Sequence, residues 1–366
     1  MSEPLYPNLI HEALETVRYP GTGKNIVESG MVEDDIRIDG RNVSFSMIFD
    51  KATDPFIRSL VKAAETAIHT YIARDINVSI NVKTRQPIPT PAELPLKGVK
   101  NIIGISSGKG GVGKSTVAAN IAVSLAREGY KVGLLDADIF GPSVPKMFGV
   151  ENEQLFLHNV DGKDLIIPIE RYGVKLLSIG FLVDKDRAVM WRGTMASTAL
   201  KQLISEADWG ELDYFLIDMP PGTSDIHLTL VQTLPITGVV VVTTPQEVAL
   251  ADARKGIAMF KDEKINVPVL GIVENMAWFT PEKHPEERYY LFGREGGIKL
   301  AEETNVAILG QIPLVAGISE HSDSGSPIAL EDTVTGMAFT HVAHELIDAV
   351  ARRNEQLPPS AKVETH

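Results

Sequence analysis

Gly108-Lys109-Gly110-Gly111-Val112-Gly113-Lys114-Ser115-Thr116 fits the pattern G-x-x-x-x-G-K-[ST], with a second lysine directly after the first glycine. The apolar, β-branched run Val99 to Ser106 precedes it and reads as a strand, and the Ala/Ile/Leu spacing from Val117 to Arg127 behind it reads as a helix. Strand, glycine loop and helix in that order form a phosphate cradle. A loop that brings successive backbone N–H groups up to phosphate oxygens must keep side chains out of the way, which accounts for Gly108, Gly110, Gly111 and Gly113 around Val112. Lys114 opens the helix, so the positive helix end and the lysine charge act together on the β and γ phosphates. The Ser115 hydroxyl suits Mg²⁺, and Thr116 reaches the α-phosphate side. Nucleotide binding follows.

Downstream, Lys131 to Leu135 reads as a second strand that delivers Asp136-Ala137-Asp138 at its carboxyl end, where ligands sit in open α/β sheets. Asp136 is expected at Mg²⁺ and Asp138 at the attacking water, although either carboxylate could instead cap the following turn. Asp213 to Met219 carries a buried-strand run ending in Asp218, followed by Pro220-Pro221-Gly222-Thr223-Ser224-Asp225. Asp218 stands where a Walker-B acid belongs and would hold Mg²⁺ through water, while the Gly222 N–H would sense the γ-phosphate. Val239 to Thr243 and Val267 to Val273 add apolar strands around a helical stretch at Glu247 to Phe260. The expected fold is therefore α/β, a mostly parallel sheet with helices on both faces.

Glu274-Asn275 falls at a strand's carboxyl end, and the Asn275 amide offers the donor and acceptor that an adenine edge demands, with a structural turn as the alternative. Gly310-Gln311-Ile312-Pro313 ends the last strand, close to where a base could lie. Leu155 to Ile169 reads as a surface hairpin turning at Asp161-Gly162. Arg192, in the Trp191-Arg192-Gly193 helix start, reads as a packed surface contact rather than an anion ligand. Val334 to Arg352 is an amphipathic helix whose polar face is not basic, so core packing is favoured over membrane docking. The tail from Asn354 is expected to be flexible.

The chain has 366 residues, a net charge of -13 and no cysteine. The acidic balance argues against a nucleic-acid or anionic-membrane surface. No charged-then-apolar leader and no bilayer-length apolar run is visible, so a cytoplasmic protein is expected. The absence of cysteine excludes disulfides and thiolate-ligated metal sites made by this chain alone.

Ahead of the phosphate loop, Leu5 to Val17 reads as a short helix, Pro20 to Gly23 as a turn, and Ile36 to Ile38, Asp39-Gly40 and Val43 to Phe49 as a hairpin. Asp54-Pro55 would cap a helix running to about Ile72, and Ile76 to Val82 alternates as a strand. These make a small α+β domain over residues 1–84, read as a partner-binding or regulatory module. Pro87, Pro89, Pro91 and Pro95 mark an extended linker over 85–98. The nucleotide domain would then span 99–353, with 354–366 as tail.

With these segments assembled, the chain resembles the Mrp family of iron–sulfur cluster carrier ATPases (ApbC-like), within the MinD/ParA class of P-loop NTPases with a deviant Walker A motif. GKGGVGKST at Gly108 to Thr116, DADIFGPS at Asp136 to Ser143, DMPPGTSD at Asp218 to Asp225 and ENM at Glu274 to Met276 carry the likeness. The resemblance implies ATP and Mg²⁺ as cofactors, a homodimer in which Lys109 reaches the partner's nucleotide, Asn275 on the adenine, and iron–sulfur assembly or recipient proteins as partners. It also implies a C-P-x-C segment that ligates a cluster between subunits. Here that position reads Thr280-Pro281-Glu282-Lys283, so this chain has no thiolates of its own for a [4Fe–4S] cluster. His284, Glu286 and Glu287 carry metal donors, but no helix or strand spacing converges them, and a solvated loop is expected.

Overall fold

The computed structural model describes residues 5–20, 23–49, 54, 56–84, 96–139, 141–160, 162–182, 193–281, 283–284 and 286–363. The chain divides into two compact units, Met1–Glu93 and Leu94–His366. Residues 85–95 of the expected linker, Pro55, Asp161, Trp191 and Arg192 lie outside the described residues, as do Gly21 and Thr22 of the first turn.

In the first unit, α1 (Pro7–Leu14) is followed by β1 (Arg37–Asp39), β2 (Asn42–Phe49), α2 (Ile57–Tyr71) and β3 (Asn77–Thr84). The three strands lie in the order β1-β2-β3, with β1 antiparallel and β3 parallel to β2. Alternation in β2 sends Val43, Phe45, Met47 and Phe49 into a core shared with Ile10 and Leu14 of α1 and with Leu60, Ala64 and Ile68 of α2. Asp54 lies ahead of the helix rather than at its cap: Phe56 is the N-cap without a side-chain cap bond, and Asp54 accepts the Phe56 N–H at 2.8 Å while its other oxygen takes the Tyr19 hydroxyl at 2.7 Å. The hairpin turns one residue later than expected. Asp39 pairs with Asn42, so Gly40 and Arg41 make the turn, and Gly40 takes the left-handed φ of 61° that a tight hairpin needs.

The second unit begins with β4 (Val99–Ser107), α3 (Lys114–Arg127), β5 (Val132–Asp136) and the single turn α4 (Val144–Met147). A two-stranded hairpin, β6 (Phe156–Val160) with β7 (Lys163–Ile167), stands apart from the main sheet. Next come β8 (Ile169–Arg171), β9 (Val174–Ser178), α5 (Gly193–Ser205), β10 (Leu212–Asp218), α6 (Asp225–Thr233), β11 (Gly238–Thr243) and α7 (Glu247–Lys261). The chain closes with β12 (Val269–Glu274), α8 (Gly296–Thr304), β13 (Ile308–Gln311), α9 (Ala316–Ser324) and α10 (Val334–Gln356).

Eight strands form the main sheet in the order β13-β12-β11-β4-β10-β5-β9-β8. All neighbours are parallel except β8 and β9. The continuous apolar runs of β10 and β11 are buried throughout, because helices cover both faces. Helices α3 and α10 pack on one face through Ile121, Leu125, Phe339 and Leu346, and α5 and α6 on the other through Leu200, Leu203 and Leu230. Helices α7 and α8 cover β11 and β12 through Leu250, Ile257 and Leu300. The edge hairpin was not foreseen. Tyr172 and Gly173 both adopt positive φ, 53° and 75°, which turns the chain back in two residues.

The last helix runs past the expected end to Gln356, where Leu357 and two prolines stop it. The segment beyond is not free. Val363 donates its N–H to the Val231 carbonyl at 3.0 Å, and its side chain packs on the core under α6.

Candidate functional site

The topology places the site. β4 sits mid-sheet between β10 and β11, and the chain leaves β4 toward one side and later crosses to the other, which opens a crevice at the carboxyl ends of the central strands. The glycine loop follows β4, Asp218 ends β10 and Asp136 ends β5, so adjacent parallel strands set the three groups side by side. Asp218 is the register partner of Asp136.

Gly113 is the N-cap of α3 with φ 81°, and no side chain caps the helix. The first-turn N–H groups of α3 therefore face the loop cavity, ready for an anion. That cavity measures about 210 Å³ and is lined by Lys109, Gly110, Gly111, Gly113, Lys114, Ser115, Thr116 and Asp138. Four lining residues went unnamed in the sequence reading as ligands: Ser143, Met147, Ser107 and Pro221. The first two arrive through α4, and only the DADIFGPS segment hinted at them. The glycines differ in what they serve. A Cβ on Gly113 would sit 2.2 Å from the Asn275 amide nitrogen, and one on Gly108 would sit 2.2 Å from the Asp252 backbone in α7, whereas Gly111 opens on free space. Gly108 thus serves helix packing as well as the loop.

Lys114 is buried, and its ammonium bonds Asp218 Oδ1, with Asp138 Oδ2 at 3.5 Å and the Ser115 hydroxyl at 3.3 Å. Asp218 is fully buried, and its Oδ2 has no hydrogen-bond partner among the described residues. Burial raises the Asp218 carboxyl above the usual range, against the pull of Lys114. An orphaned carboxylate oxygen beside the Ser115 hydroxyl is an oxygen donor set that fits a hard divalent cation. Asp136 is placed differently. Its oxygens accept the Asp138 N–H at 3.1 Å, the Ser178 hydroxyl at 2.9 Å and the Val144 N–H at 3.3 Å, so it organises the β5 loop and the start of α4. Burial, then the Asp218 charge, push it up to about 8.

Two further expected residues touch the loop from behind. Asn275 donates its amide to the Val112 carbonyl at 2.8 Å and is buried, which braces the glycine loop and commits the amide that a base would need. Gly222, φ 80°, donates its N–H to the Ser107 carbonyl at 2.8 Å. That amide must leave Ser107 before it can meet a phosphate.

The comparisons agree with this geometry. Residues 98–349 match the family described as "NUBPL iron-transfer P-loop NTPase", and residues 9–80 match "Iron-sulfur cluster assembly protein". The iron-sulfur cluster carrier protein of Synechocystis is 42% identical over 92% of this chain and 96% of its own length. The chain belongs to the iron–sulfur cluster carrier family of P-loop NTPases. Among solved structures, the chain resembles a nucleotide-binding protein from Archaeoglobus fulgidus in complex with ADP, at a TM-score of 0.56 and 39% identity, over 65% of this chain and 91% of that one. It also resembles MinD of Pyrococcus horikoshii complexed with Mg-ADP, at a TM-score of 0.52 and 25% identity over 70% and 99%.

At the loop after β12 the chain has Thr280-Pro281, and there is no cysteine anywhere in its sequence. Contrary to the expectation from spacing, His284, Glu286 and Glu287 come together, with one donor atom of each within 4.8 Å of the others. The backbone explains it: Phe279 and Tyr289 exchange hydrogen bonds of 2.8 and 2.9 Å, which closes the segment into a loop. No helix among the described residues is long and apolar enough to cross a membrane.

Proposed function

We propose that this chain binds Mg-ATP over the glycine loop and hydrolyses it as a homodimer, and that hydrolysis drives iron–sulfur cluster handling with thiolates supplied by partner proteins. The observation that carries the reading is the uncapped N-terminus of α3 with Lys114 and Asp218 gathered at it. Backbone N–H groups and Lys114 hold the phosphates, Ser115 and Asp218 hold the cation, and Asp138, 3.5 Å from Lys114, orients the attacking water. Mg²⁺ supplies charge neutralisation on the phosphates. ADP in the Archaeoglobus relative and Mg-ADP in the MinD relative support the ligand. Calorimetric titration with Mg-ATP tests it. Lys114→Ala is expected to lose tight binding, and retained wild-type affinity would remove the loop from the site.

The cargo step rests on the family and on the missing cysteines. After anaerobic reconstitution with iron and sulfide, the chain alone is expected to hold no cluster, and a mixture with a thiol-bearing scaffold protein is expected to retain one. If neither retains iron and sulfide, the second reading takes over: a nucleotide-gated scaffold that regulates partners without cargo. Pull-downs with the ATP-bound and nucleotide-free forms would then have to recover different proteins.

A further inference from the structure

His227 has no part in the site as described, yet it is 1% exposed and lies three residues past Ser224, inside the first turn of α6. Its Nδ1 accepts the Ser224 N–H at 3.2 Å, with the Ser224 hydroxyl at the same distance. The ring leans on Phe260 of α7, centroids 6.2 Å apart. Burial pushes its pKa down to about 4; the Ser224 backbone pulls it back up, the Lys114 charge depresses it further, and the Pro220 carbonyl pulls it up. The ring is neutral at pH 7, and because Nδ1 accepts, the proton sits on Nε2. That Nε2–H is buried and has no hydrogen-bond partner among the described residues. The Pro220 carbonyl is near enough to the ring to raise its pKa through incipient hydrogen bonding, yet it lies outside hydrogen-bond geometry to Nε2.

An orphaned buried donor costs stability, and a phenylalanine or leucine would fill the same apolar space without that cost. The ring also touches both ends of one short segment, Pro220 to Ser224, which carries Pro221 on the cavity wall and Gly222 on the Ser107 carbonyl. We propose that His227 is the positioning residue of this segment: Nδ1 fixes Ser224, and the spare Nε2–H is the donor for the Pro220 carbonyl when Gly222 leaves Ser107 to meet a bound phosphate. The orphan in the nucleotide-free arrangement is then a hydrogen bond held in reserve for the other. The role rests on the ATPase reading above, because it assumes that the segment moves toward nucleotide.

His227→Phe and His227→Gln test it, the amide of Gln keeping an acceptor and a donor. The Phe variant loses the acceptor for the Ser224 N–H together with the orphaned donor, so it is expected to melt near wild type, to keep KM for ATP within about twofold, and to lose kcat on the order of tenfold to a hundredfold, the range for a misplaced group next to the reacting atoms. His227→Gln is expected to recover much of that rate. Hydrogen exchange of the peptide spanning 219–226, with and without a non-hydrolysable Mg-ATP analogue that keeps a γ-phosphate, gives a readout that needs no turnover. Wild type should gain protection there with the analogue, and the Phe variant should not. If wild type neither binds nor hydrolyses ATP, the ATPase reading falls and this role falls with it. If wild type turns over while the Phe variant matches it in rate and protection, or loses rate only in step with its melting temperature, His227 is a core residue and the inference alone is overturned.

Discussion

At the scale of single residues, the carboxylates at the ends of β5 and β10 show how placement turns one residue type to different ends. Asp136 and Asp218 share a register position and are both buried, yet Asp136 spends its oxygens on its own loop and on Ser178 at the end of β9, while Asp218 keeps one without a partner among the described residues. The pH dependence of stability should report this. Asp136 at about 8 in the native state holds a proton that the unfolded chain gives up near pH 4, so its contribution is full below about pH 4 and declines as pH rises to about 8. His227 works in the opposite sense: it is depressed to about 4, so its contribution is full above about pH 6.5 and declines as pH falls toward 4. Above pH 6.5 the Asp136 slope stands without that opposition. Differential scanning calorimetry of the nucleotide-free protein is expected to show the melting temperature falling from about pH 6.5 to about pH 8. In Asp136→Asn the fall should be shallower, and an unchanged slope would place the raised group elsewhere.

At the scale of elements, the packing of the glycine loop against its neighbours is as demanding as phosphate binding. Gly108 lies so close to α7 that a Cβ would meet the Asp252 backbone carbon at 2.2 Å and the Ala253 nitrogen at 2.4 Å, both main-chain atoms that cannot rotate away. Gly108→Ala is therefore expected to destabilise the nucleotide-free protein by about 1–3 kcal/mol, read as a lowered denaturation midpoint. Gly111→Ala meets nothing within 4 Å, and its cost comes only from the left-handed φ of 81°, of order 1 kcal/mol. Equal loss in the two would remove the packing argument. The strands and helices around this loop were legible because doubly buried parallel strands leave unbroken β-branched runs, as in Gly238 to Thr243, and because the glycine–lysine spacing of the loop has few other uses. What escaped reading depended on contacts between distant segments. Nothing local to Tyr172-Gly173 says that β8 folds back on β9, and nothing local to Asn275 says that its amide meets Val112, 163 residues away. The same holds for His227, whose only sequence signal was its place three residues after Ser224.

At the scale of the whole molecule, the proposed division of work between the two lysines of the loop is one a dimer can expose. Lys114 is buried against Asp218, inside its own subunit's site, while Lys109 stands on the wall of the same cavity and is the lysine that family likeness assigns to the partner's nucleotide. A C₂ dimer makes the arrangement reciprocal, so each site would be completed by the other chain. Lys109→Ala and Asp138→Asn chains should each bind Mg-ATP, because neither change removes the phosphate cradle or the Asp218 cation ligand, and each should turn over poorly alone. Mixed and re-equilibrated, they form hybrid dimers with one complete site: the site in the Lys109→Ala chain has its own Asp138 and receives Lys109 from its partner. The other site lacks both groups. With random pairing half the dimers are hybrids and half their sites are whole, so the mixture should recover about a quarter of the wild-type rate, independent of which variant is labelled. If Lys109 served its own subunit instead, every site in every dimer would lack one group and mixing would restore nothing. Steady-state phosphate release before and after subunit exchange separates the two outcomes, and a mixture as inactive as its components would return Lys109 to its own loop.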